Sequence, residues 1–132
     1  MKDFPFISLN ASLILLRVSL AIIFLAHSIV RIVNSTIGQF GAFLENKGFP
    51  NGVAWVWAIT AFEIIGGILL MLGFFTKWIS LGFIVLLIAG IIIIHAGLGW
   101  FVGEHGTGGS EYSFILIMAF LVIMAADNKL MR

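Results

Sequence analysis

The sequence predicts an all-α membrane protein, a bundle of four transmembrane helices with both termini in the cytoplasm. Three observations lead there. First, 61% of the 132 residues are hydrophobic and only 10% are charged, with a mean hydropathy of +1.18. A soluble domain keeps about a quarter of its residues charged, because its surface must be solvated. Second, the apolar residues gather in four runs that meet or approach the length of a span. That length is roughly 20 residues at 1.5 Å each, for a hydrocarbon core about 30 Å thick. Third, no run alternates with period two, as the strands of a membrane barrel must.

Taken in order, the helices are expected at about 9–33, 53–75, 78–98 and 111–126, within one domain covering 1–132. The first is too long for the apolar core of a signal peptide, and no A-x-A-like site follows it, so it is expected to stay in the mature protein. A polar loop from Asn34 to Gly52 joins it to the second helix. Thr76 and Lys77 form a tight turn into the third, and a Gly-rich stretch from Gly99 to Ser110 leads to the short fourth. Trp55, Trp57, Trp78 and Trp100 fall at helix ends, where interfacial belts hold them. Lys2, Lys77, Lys129 and Arg132 share one side, against Arg31 and Lys47 on the other. The positive-inside rule then puts both termini in the cytoplasm.

Composition also excludes whole classes of function. Seven basic and six acidic residues leave a net charge of +1, so there is no basic patch for a nucleic acid. The chain has no cysteine. Disulfides, thiolate metal sites, iron–sulfur clusters and thiol catalysis by this chain are thereby excluded. The lipid bilayer is its first partner.

Ionisable groups at membrane depth are costly, so each calls for a partner or a task. Arg17, His27 and Arg31 lie on the first helix, Glu63 on the second, His95 late in the third, and Glu111 at the mouth of the fourth. At about 100° per residue, Arg17, His27 and Arg31 fall within an arc of roughly 80°, a polar stripe that must face the bundle interior. Counting rise from the outer ends places His27 about 9 Å deep, Glu63 about 15 Å and His95 about 5 Å, with Arg17 deeper at roughly 24 Å. His27, Glu63, His95 and Glu111 thus converge on the outer half of the bundle. Gly66 and Gly67, like Gly82, Ala89, Gly90 and Ala96, let neighbouring helices approach closely.

Several readings fit these residues. Arg17 and Glu63 read as a buried ion pair that sets helix register, of the kind that specifies packing without adding net stability. His27 reads as interhelical glue, or with His95 as a paired-imidazole site for haem or metal, although no motif spacing supports a metal centre. The segment Gly103 to Glu111 reads as an exposed loop or as the lining of a site.

Arg17, then Phe24-Leu25-Ala26-His27 with Arg31 four residues on, resembles the first helix of the DoxX family. Glu63-Ile64-Ile65-Gly66-Gly67, Leu72-Gly73 and Thr76-Lys77 resemble its second helix and turn. His95, the Gly-rich residues and Glu111-Tyr112 continue the likeness, which spans about Leu13 to Asp127. Ser28 stands where the family often has glycine, and Arg31 where lysine is common. The resemblance implies a small four-helix protein of a prokaryotic cytoplasmic membrane, whose relatives include subunits linked to quinone reduction by sulfur compounds or to oxidative-stress assemblies. Carried over by position, the family's polar residues fall on Arg17, His27, Arg31, Glu63, His95 and Glu111.

On that footing the first functional reading is an oxidoreductase subunit whose polar cluster meets a quinone head group. His27, Glu63 and His95 would be its catalytic groups, and Arg17, Arg31 and Glu111 its binding or structural ones. Histidine titrates near neutral pH and suits proton transfer. Electrons would come from a soluble or membrane redox partner or a bound cofactor, with quinone ahead of haem. A second reading is a non-catalytic anchor or scaffold for a soluble redox partner. A third is a small-molecule or ion carrier, against which stands the lack of a repeat or of an interrupted helix pair. Pairing of two copies through the glycine faces is a further expectation.

Overall fold

The computed structural model describes residues 7–102 and 109–127, and for His95 and Ala96 the backbone alone. Five α-helices follow in order: α1 Leu9–Val33, α2 Ile37–Asn46, α3 Gly52–Leu72, α4 Thr76–Gly90 and α5 Glu111–Ala126. A π-helical turn, Ile91–His95, and a 3₁₀ turn, Ala96–Leu98, extend α4. The described residues include no strand. Three stretches are long and apolar enough to cross a membrane: Leu9–Val33, Gly52–Leu72 and Thr76–Ile94. Apolar α5 has 16 residues, or about 24 Å of rise.

The helix ends follow from local chemistry. Ser8 caps α1, its Oγ accepting the Ala11 N–H at 3.1 Å. Gly73 ends α3 with φ at 84°, which glycine adopts without a Cβ clash. The Phe74 N–H then reaches the Leu69 carbonyl at 2.9 Å and the Gly73 N–H that of Leu70 at 3.2 Å, the pairing of a Schellman motif. This turn reverses the chain into α4.

Phe83 of α4 is the hub of the core. Its ring lies 4.4 Å from that of Phe24 on α1, 5.0 Å from Phe62 on α3 and 5.3 Å from Phe120 on α5. One fully buried ring thus ties four helices together. Small residues bring the backbones close, as their spacing predicts. A Cβ on Gly67 would lie 2.8 Å from Leu25 of α1, and one on Gly82 would lie 2.5 Å from the Phe62 ring.

Two expectations are corrected. The polar loop between Asn34 and Gly52 contains helix α2. Ile37, Gly41 and Leu44 are buried on one face, at the spacing of an amphipathic helix, and Ile37 and Leu44 form a second core with Val56. The Glu45 carboxylate accepts the Gly52 N–H at 3.1 Å, so α2 caps the helix on which it rests. The third expected helix, at 78–98, begins at Thr76 and leaves α geometry after Gly90. Four consecutive isoleucines follow, stiff at χ1 and crowded against the preceding turn. The interruption falls beside the cavity described next, where π turns often occur in working proteins.

Candidate functional site

Helices α1 and α3 run antiparallel with their polar residues in register. Three residues separate Ser28 from Arg31 on α1, and three separate Thr60 from Glu63 on α3, so each pair shares a helix face. Ser28 Oγ donates to Glu63 Oε2 at 2.9 Å. Arg31 Nη1 donates to Thr60 Oγ1 at 2.9 Å and to Glu63 Oε1 at 3.3 Å. Glu63 is only 4% exposed. From α2, the Phe40 ring lies 5.5 Å from the Arg31 guanidinium carbon, within cation–π range. Both oxygens of the carboxylate are therefore engaged, and the arginine is held by two other helices, α3 and α2.

This cluster borders a cavity of about 350 Å³ to which all five helices contribute. Arg31 and Glu63 form its charged wall, with His27 nearby on α1. Opposite them, α5 offers Tyr112 and Ser113. Phe24, Leu87 and Leu116 make the space between greasy, and Gly90, Ile93 and Ile94 line it from the end of α4 and the π turn. Ser113 is 4% exposed. An apolar cavity with a few convergent polar groups is the usual form of a small-molecule site.

The sequence-predicted residues divide into groups. His27, Arg31 and Glu63 meet at the cavity. Glu111 does not line it. Its Oε1 accepts the Val102 N–H at 2.8 Å, while its own N–H bonds the Trp100 carbonyl at 2.9 Å, so it ties the turn before α5. His95 closes the π turn with its backbone, but its side chain, like Glu104 and His105, lies outside the described residues. The proposed imidazole pairing with His27 therefore falls outside them too.

Arg17 does not pair with Glu63, and this is a correction. Along the antiparallel contact Arg31 faces Thr60, Ser28 faces Glu63 and Leu25 faces Gly67. Two turns further on, the Arg17 guanidinium lies 3.2–3.3 Å from where a Cβ of Gly73 would be. Ten residues of α3, roughly 15 Å, separate that point from Glu63. Arg31, assigned by depth to the outer end, is the partner instead. Ser28, Thr60, Phe40, Tyr112 and Ser113 were not among the site residues expected from the sequence. The two i, i+3 polar pairs on adjacent helices were the available signal.

The DoxX family profile matches residues 12–96, which hold α1 through the π turn. A protein of Bacillus subtilis (strain 168) named "Putative oxidoreductase CatD" is 27% identical over 124 residues, covering 92% of this chain and 84% of that protein. No solved structure matches the chain. A profile match over most of the chain, on a helical bundle with three long apolar helices, makes this protein a membrane-protein member of the DoxX family.

Proposed function

We propose that this chain crosses a prokaryotic cytoplasmic membrane four times, with both termini inside, and binds a quinone head group as a subunit of a redox assembly. The carrying observation is the cavity of about 350 Å³, in which the Arg31–Glu63 pair meets apolar walls from all five helices. A quinone has the same division, a ring bearing two oxygens on an apolar tail. The name of the Bacillus subtilis relative supports redox chemistry in the same general sense. For the fourth span, apolar α5 packs Phe120 against Phe83 in the bundle core, and its 16 residues rise about 24 Å.

Reducing a quinone to a quinol takes two electrons and two protons. With no cysteine in the chain, the electrons are assigned to a redox partner. Protons are this chain's share. His27 and Tyr112 both line the cavity, and they are the groups of this chain that would pass protons to the bound oxygens. The Arg31 guanidinium polarises a carbonyl oxygen placed beside it. Glu63 fixes the arginine through its own two hydrogen bonds.

The test is direct binding of a short-chain quinone to purified protein, read by quenching of tryptophan fluorescence. Ala89 lines the cavity from α4, so Ala89→Phe fills the space without touching the polar cluster. Saturable binding that Ala89→Phe weakens at least tenfold, with the unfolding midpoint unchanged, supports the proposal. Absence of saturable binding, or equal binding by the variant, overturns it.

A further inference from the structure

At the opposite end of the bundle, polar groups are buried without partners. Arg17 is 8% exposed, Thr76 1% and Ser80 fully buried. Arg17 Nε, Thr76 Oγ1 and Ser80 Oγ have no hydrogen-bond partner among the described residues. Glu63 is engaged by Arg31 and not by Arg17. A buried charge and buried hydroxyls left unmatched are costly, and natural proteins rarely keep them without a reason. The C-terminus of α3 offers the guanidinium a favourable dipole at Gly73. That field leaves its Nε without an acceptor among the described residues.

The next element supplies more donors. Helix α4 begins at Thr76, three residues after Gly73, with Phe75 at the N-cap position and no side-chain cap. The first backbone bond into the helix is Ile79 N–H to the Phe75 carbonyl, at 2.9 Å. The amides of Thr76, Lys77 and Trp78 thus lack a protein acceptor among the described residues. A helix N-terminus with free amides favours an anion, and the guanidinium against Gly73, three residues before it, adds charge and a planar fork suited to phosphate.

Depth selects the source of that anion. Trp78 is 70% exposed at the first turn of α4, where tryptophan marks the level of the lipid headgroups. Lys77 beside it is exposed as well. Basic pockets between helices at this level attract anionic headgroups. We infer that Arg17, Thr76 and the N-terminus of α4 form a binding site for a phosphate group, that of an anionic phospholipid. Its donors would be the Arg17 guanidinium, the Thr76 hydroxyl and the first amides of α4, with Lys77 at the rim. This site is separate from the cavity beside Glu63 and does not depend on the redox reading.

The experiment is thermal unfolding of the full chain in a neutral detergent. Phosphatidylglycerol, phosphatidylcholine or inorganic phosphate is added to separate samples, and native mass spectrometry counts retained lipid. Phosphatidylglycerol is expected to raise the midpoint by roughly 5 °C, with phosphatidylcholine and inorganic phosphate having little effect. Arg17→Gln should lose most of that increment and its retained lipid. Full stabilisation by inorganic phosphate alone would assign the site to a soluble anion and overturn the lipid source. Equal stabilisation of Arg17→Gln, or none of the unaltered protein, would overturn the site. Should Arg17→Gln fail to fold, Thr76→Val decides. It should raise the midpoint without lipid, by removing an orphaned hydroxyl, yet gain less from phosphatidylglycerol. An undiminished gain counts against the site.

Discussion

Arg17 and Arg31 stand on the same helix, about four turns apart, and the protein treats them in opposite ways. Arg31 meets a carboxylate, a hydroxyl and an aromatic ring drawn from two other helices. Arg17, the more buried of the two, meets a glycine turn, and its Nε has no acceptor among the described residues. The contrast separates two uses of charge in a greasy bundle. At the cavity the protein supplies its own counter-charge, and the matched pair forms one wall. At the opposite end of α1 the Nε of the buried cation is left without an acceptor among the described residues.

Mutations can break or sharpen that comparison. The largest effect is expected from Arg31→Met, which strands the buried Glu63 carboxylate. It should destabilise the protein in detergent by about 3 kcal/mol, and adding Glu63→Leu should restore at least half, because paired removal leaves no lone charge. Arg17→Gln added to Glu63→Gln should restore nothing, and a clear rescue would mean that the register described here is wrong. Next comes Gly67→Val, which places a branched side chain where Leu25 already lies 2.8 Å from a single added carbon. Overpacking of this kind should cost about 2 kcal/mol. It should also lower quinone binding, since Gly67 lies between the levels of the two arginines and sets the closeness of α1 to α3.

Smaller effects probe individual bonds. Thr60→Val removes one acceptor from Arg31 and should cost about 1.5 kcal/mol, the range of a hydrogen bond to a charged group, with Ser28→Ala nearer 1 kcal/mol. Circular dichroism melts of both variants would check the order. The smallest change is expected from Arg17→Met without anionic lipid, within about 1 kcal/mol of the parent, because its Nε has no acceptor among the described residues to orphan. A loss as large as that of Arg31→Met would erase the distinction between the two arginines.

Much of this was legible in the sequence. The limits of α1 and α5, the close approach at Gly67 and Gly82, and the presence of Glu63 among the candidate site residues all follow from run length, small-residue spacing and the cost of charge in lipid. Helix α2 was missed because ten residues bearing Gly38, Gln39, Gly41 and Glu45 read as a polar loop. Its apolar face gains from helix formation only when Val56 of α3 is there to cover it. The interruption at Ile91–His95 was missed for a related reason. An apolar isoleucine run satisfies every rule for a continuous span, and the change of hydrogen-bond register leaves no mark in hydropathy.

The sequence by itself determined that this chain must live in a membrane as helices, because its apolar runs match a bilayer and its few charges cannot clothe a soluble surface. It also determined which residues would be costly to bury, since that cost belongs to the side chain. Only the tertiary structure decided which of them meet. Arg17 and Arg31 carry the same charge on the same stripe of α1, and depth counted along each helix separately favoured the wrong one for Glu63. The choice rests on the axial register of α1 against α3, set by Gly67 receiving Leu25 and by the Gly73 turn closing under Arg17. That register is a property of two helices packed together, and neither helix encodes it alone.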